Sequence, residues 1–172
     1  MDEQVMWASG QGAVLLVILA GIMFASGLWG VLIALAPAAY LLVLSPHASE
    51  NSPKTVLVSH LTALIAGWVA YTVVAHGIAP TSIEPMSESG LRIVGSLLLA
   101  CGASTAVFYV LHVDHPMAYV IACIAAIGAF PTILALAVVT IAILCVACLQ
   151  VLRLEFGPES DGESTTLVGD FP

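Results

Sequence analysis

The chain has 172 residues, 60% of them hydrophobic and 8% charged, with eleven acids against three bases for a formal net charge of −8. A soluble domain carries about 25% charged residues, so this composition excludes an ordinary soluble protein. The shortage of bases excludes a nucleic-acid binder, whose partner's phosphates demand a basic patch; what remains is an all-α polytopic membrane protein with the lipid bilayer as its solvent.

Residues 1–6 hold two acids and no base, the reverse of the positive start of a secretory signal, so no cleavable signal is expected. No formal charge occurs from Gln4 to Ser49, and a first span is expected over about 12–30. The next apolar segment, 31–44, is short for a span of roughly 20 residues, and it contains Pro37. Proline has no N–H and favours the first turn of a helix, while the residue before it is pushed toward extended geometry. An extended piece over 31–36 followed by a half-helix from Pro37 would cover about 20 Å plus about 12 Å, enough for a core of about 30 Å. A continuous helix kinked at the proline is the alternative. A third span is expected over about 56–76, beginning after Pro53 and Lys54. On it His60, Ala63, Gly67 and Tyr71 share a face. A fourth is expected over about 91–110. The segment 111–129 then repeats the interruption, with Pro116 in the place of Pro37, and a last span follows over about 132–153. Cys101, Cys123, Cys145 and Cys148 lie inside these apolar segments, and the C-x-x-C of the last two reads as packing rather than redox or zinc chemistry. Residues 1–153 form the membrane domain. The acidic tail, 154–172, should be solvated and disordered. Its acidity, with little lysine in the chain, matches a halophile's high-salt cytoplasm.

The two interruptions are related. A shift of 79 positions lays Pro37-Ala38-Ala39-Tyr40 on Pro116-Met117-Ala118-Tyr119 and the third span on the sixth. Each unit, about 12–76 and 91–153, then has three crossings. Three is odd, so the units enter the membrane from opposite sides, the inverted repeat common in transporters. Two half-helices starting near mid-membrane would aim unpaired amides and the positive ends of their dipoles at one point. That is an anion focus made without lysine, with backbone donors near Ala38, Ala39, Met117 and Ala118.

Polar side chains gather at the second interruption. His112, Asp114 and His115 precede its half-helix, and ionisable groups at membrane depth are functional suspects. The alternative is a surface turn with Asp114 capping the next helix. Three such residues on one loop make a weak metal set, and no metal or cofactor is expected. His60, beside Ser59, faces the same region from the third span. The candidate substrate-binding residues are therefore Pro37, Ala38, Ala39, Tyr40, Ser59, His60, His115, Pro116, Met117 and Ala118. The small-residue stripes, such as Ser96-x-x-x-Ala100-x-x-x-Ser104, let helices approach closely and offer surfaces for a homo-oligomer.

Two motifs resemble a known family. The segment "SPHASENSPKTVLVSHLTALIAG" is similar to the S-P-x-x-x-P-R-N-V-x-x-G-H-x-x-S-A of the HPP membrane proteins, with Ser45, Pro46, Pro53, Lys54, Val56 and His60 in the matching places. "HVDHPMAYVIA" resembles the H-P-P-A-x-A that names the family, with His115, Pro116 and Ala118 matching and Met117 in place of the second proline. The stretch from Leu32 resembles that family's I-A-S-F-G-A-x-A-V-L-L-F, so the resemblance covers roughly 32–136. It implies an integral membrane protein, and relatives are associated with nitrite transport.

Three functional classes follow. A small-anion transporter or channel, nitrite foremost, fits the repeat and the broken spans. A membrane interaction or assembly protein without transport is the alternative. A membrane enzyme is disfavoured, since no nucleophile elbow, phosphate loop or zinc signature occurs. Six crossings put both termini on one side with Lys54 and Arg153, against Arg92 on the other. This favours cytoplasmic termini in a multi-pass cell-membrane protein.

Overall fold

The computed structural model describes residues 3–113 and 115–156. Among these it is all helical, with α1 at Glu3–Ser26, α2 at Gly30–Leu44, α3 at Pro53–Ala70, α4 at Glu88–Leu111, α5 at Ala118–Ala126 and α6 at Ile133–Phe156. Asp114 and residues 157–172, which carry the expected cap and most of the acidic tail, lie outside the described residues. Helix α3 continues as one π-helical stretch, Tyr71–Ala75.

The boundaries follow local chemistry. Gly27 stops α1 in the left-handed region, at φ 71°, with its amide on the Met23 carbonyl. Ser52 caps α3 by accepting from the Thr55 amide, and Pro53 fills the first turn, where no N–H is needed. Ser87 caps α4 by accepting from the Gly90 amide. The Thr132 hydroxyl accepts from the Ala135 amide at the start of α6.

The contacts define two ends of the bundle. At one end, the start of α1 meets α2, where Gly12 faces Val43, and Arg153 of α6 donates to the Leu42 and Val43 carbonyls. At the other, Gly30 lies against Phe130 and Ile124, and Gly128 lies against the Tyr71 ring. Successive helices therefore run in alternating directions between the ends. Helices α3, α4 and α5 pack most closely, and α1 packs mainly on α2. Four helices are long and apolar enough to cross a membrane: Met6–Ser26, Pro53–Ala75, Glu88–Leu111 and Ile133–Phe156. Phe24 of α1 is 90% exposed and Val17 is 70% exposed, as apolar side chains turned toward lipid would be.

The expected break at Pro37 is not there. Helix α2 runs unbroken from Gly30 to Leu44 with Pro37 inside it, which is the kinked-helix alternative. The magnitudes explain this. A proline inside a helix costs about 3 kcal/mol, whereas extended backbone over 31–36 would leave several peptide groups unbonded, each at several kcal/mol in lipid. The second proline behaves differently. Pro116 does precede a short helix, α5, but no extended crossing leads into it. Helix α4 ends at His112, which takes the left-handed φ of 52°, and the Val113 amide closes on the Phe108 carbonyl. Non-helical backbone flanks α5 on both sides, at 112–113 and 115–117 before it and at 127–132 after it.

The tightest contact is between α3 and α5. A β-carbon at Gly67 would overlap the Ala122 carbonyl and come within 2.7 Å of the Ala125 methyl. Gly67→Ala should therefore push the two helices apart and destabilise the protein by about 1–3 kcal/mol, read as a lower thermal midpoint in detergent. An unchanged midpoint would rule out the close approach.

Candidate functional site

His60 and His115 come together from separate segments. Both are fully buried, and their ring centroids lie 4.9 Å apart with planes tilted by 47°. His60 sits two turns into α3, on the buried face with Ala63 and Gly67. His115 closes the turn before α5. Each ring is held through Nδ1, His60 to the Val56 carbonyl at 2.8 Å and His115 to the Glu50 carbonyl at 3.0 Å. A carbonyl only accepts, so each Nδ1 carries a hydrogen. In the neutral ring Nε2 is then the lone-pair nitrogen. Nε2 of His60 is buried and has no hydrogen-bond partner among the described residues.

The loop that supplies the Glu50 carbonyl is itself held. Asn51 is fully buried and donates through Nδ2 to the Ser45 carbonyl at 2.7 Å and the Leu41 carbonyl at 3.2 Å. Gln150 of α6 donates to the Pro46 carbonyl at 2.9 Å and the Asn51 carbonyl at 3.2 Å. Arg153 binds the carbonyls at the end of α2, where the helix dipole favours a cation. Asn51 and Gln150 thus fix the loop beside the histidine pair, and Arg153 fixes the end of α2 that leads into it.

The remaining expected site residues scatter. Ser59 is buried and spends its hydroxyl on the Thr55 and Val56 carbonyls. Ala118 is buried, Met117 half-buried and Pro116 exposed. Ala38 and Ala39 are buried inside α2, while Tyr40 is 63% exposed. The two helix starts do not meet. Helix α2 begins at Gly30, beside Phe130, whereas α5 begins at the histidine end. The first amides of α5 are also already bonded: Ala118 to the His115 carbonyl, Tyr119 to Pro116 and Val120 to Met117. An anion held between two sets of free amides near Ala38, Ala39, Met117 and Ala118 is therefore not what this geometry provides.

His112 is exposed and acts as the terminator of α4, with its ring on the Val110 carbonyl. Among the described residues no group of three or more His, Cys, Asp or Glu side chains is placed to hold a metal ion. Sequence reasoning missed Asn51, Gln150 and Ser104. Ser104 is fully buried, and its hydroxyl has no partner among the described residues. Their signal was available: Gln150 is an uncharged polar residue in an apolar span, and Ser104 belongs to a stripe that reads as packing.

No family model matches the chain, and neither does any curated protein or solved structure.

Gln150→Leu keeps the volume but leaves two loop carbonyls without a donor. It should cost about 1–3 kcal/mol, measured as a lower midpoint in detergent. An unchanged midpoint would show that the loop does not depend on α6. His112→Gly should do the opposite. Glycine adopts positive φ without strain, a relief of about 1 kcal/mol, so the midpoint should rise; a fall would mean that the His112 ring is needed where it lies.

Proposed function

We propose that this chain is a multi-pass membrane permease that moves a small anion, nitrite foremost, together with a proton, and that His60 and His115 form its binding site. The observation that carries this is the burial of two imidazoles in contact, drawn from distant segments, with the Nε2 lone pair of His60 open. A bare anion would be repelled by that lone pair. It is matched only when a proton is present, either on the solute as a neutral acid or on the imidazole as a second donor. One anion and one proton then occupy the site as a neutral pair, which lowers the cost of a charge at membrane depth.

Three further features support the reading. The two motifs that resemble the HPP family contribute one histidine each, and these are the two that meet. Alternating directions in six helices fit six crossings, with α2 and α5 as the short ones. The helix contacts also pair in the manner of an inverted repeat: α1 on α2 corresponds to α4 on α5, and α3 on α4 to α6 on α1. Both arginines cap helix ends, Arg92 on the Val74 carbonyl and Arg153 on α2, so cytoplasmic termini rest on Lys54 as the base exposed at the terminal end of the bundle.

The test is proton and nitrite uptake into proteoliposomes holding a trapped pH dye, with protein-free vesicles setting the leak. Nitrite should acidify the lumen faster than the leak, and His60→Ala and His115→Ala should each slow it roughly tenfold or more, the worth of a buried hydrogen bond to a charged group. His47→Ala, in an exposed loop, should keep the parent rate. Parent-like rates in both site variants would sink the assignment, and nitrite entry without a proton would sink the coupling.

A further inference from the structure

Helices α3, α4 and α5 meet along a seam whose register is set by a series of close pairs. His60 lies on His115. One turn further in, the Thr105 hydroxyl is 2.9 Å from the Tyr119 hydroxyl. Next come Cys101 and Cys123, with sulfurs 3.8 Å apart, and Gly67 against Ala122. Ser96 then donates to the Ala126 carbonyl at 2.8 Å. At the far end Gly128 packs on Tyr71, which lines a cleft of ≈ 450 Å³ with Trp29, Gly77 and Pro131. Among the buried residues between these ends Ala63, Gly67, Ala100, Ala118 and Ala122 are small, with Leu64 and Ile121 as the large side chains beside them.

We propose that this seam is the solute path, running from the histidine pair past Ser104 to the cleft beside Tyr71, with Gly67 against α5 as its constriction. The inference rests on the permease function proposed above. A seam of small residues would by itself be packing, but two open polar atoms point to a ligand. One is Nε2 of His60. The other is the Ser104 hydroxyl, buried on the inward face of α4 and without a partner among the described residues. Helix serines and threonines ordinarily bond a carbonyl one turn back, as Ser59 and Thr105 do here. Ser104 does not, and native cores seldom leave such a group unpaired. Its chain neighbour Thr105 pairs with Tyr119, four residues beyond His115. There a hydroxyl can donate to an anion or accept from its acid. Passage then needs α5 to part from α3 at Gly67. The π-helical turn Tyr71–Ala75 and the left-handed Gly128 bracket that movement at the cleft.

Cysteine modification after folding tests this without risking the fold. Cys101, Cys123, Cys145 and Cys148 are free thiols, so the parent for this test carries alanine at all four, and Ser104→Cys is reconstituted beside that parent and beside Val17→Cys, an exposed position on α1. All three are treated with the small reagent 2-aminoethyl methanethiosulfonate, and intact mass and nitrite-driven acidification are both read. The expected result is modification of Ser104→Cys with its flux reduced to the vesicle leak, while the parent and Val17→Cys keep theirs. A modified Ser104→Cys with unchanged flux, or an unmodified one in a protein that moves nitrite, overturns the path. If the native chain moves no nitrite, the proposed function fails. The mass then decides the seam alone: a modified Ser104→Cys supports a water-accessible seam, and an unmodified one ends it.

Discussion

Buried peptide groups need hydrogen-bond partners, and the end of α2 is where this chain meets that constraint most sharply. Helix α2 must stop, turn and hand over to α3, and the turn exposes a cluster of carbonyls. A buried carbonyl left without a donor costs about 1–3 kcal/mol. Asn51, Gln150, Arg153 and His115 each spend a donor on those carbonyls. The donors come from the loop itself, from α6 and from the turn before α5, so satisfying one loop ties the second half of the chain to the first.

The histidine pair follows from that arrangement. His115 is oriented because its Nδ1 serves the Glu50 carbonyl, and His60 because its Nδ1 serves its own helix. Both rings are thereby held in one tautomer. The chemistry offered inward is a lone pair, which asks for a hydrogen. Where backbone amides were expected to face inward, the structure places an imidazole lone pair.

Small residues do the rest. Glycine at position 67 lets α3 and α5 touch backbone to backbone, close enough that a nine-residue helix is buried along one whole face.

Much of this was legible in the chain. Charge-free apolar segments dictate helices in lipid, because no other open structure satisfies the backbone there. The face of His60, Ala63, Gly67 and Tyr71 was readable from helical spacing, and all four are buried. Which proline breaks a segment was not readable. Pro37 and Pro116 share a local pattern, yet one sits inside α2 and the other ahead of α5. The difference comes from the surroundings: α2 keeps its peptides bonded by staying helical, while the turn at Pro116 is sustained by the carbonyl of Glu50, 65 residues away in the chain. Sequence by itself determined the helices and the residue types able to do chemistry. Only the tertiary structure decided which of them meet, because the partners that fix His115 and leave Ser104 without one lie on other helices, beyond the reach of any local pattern.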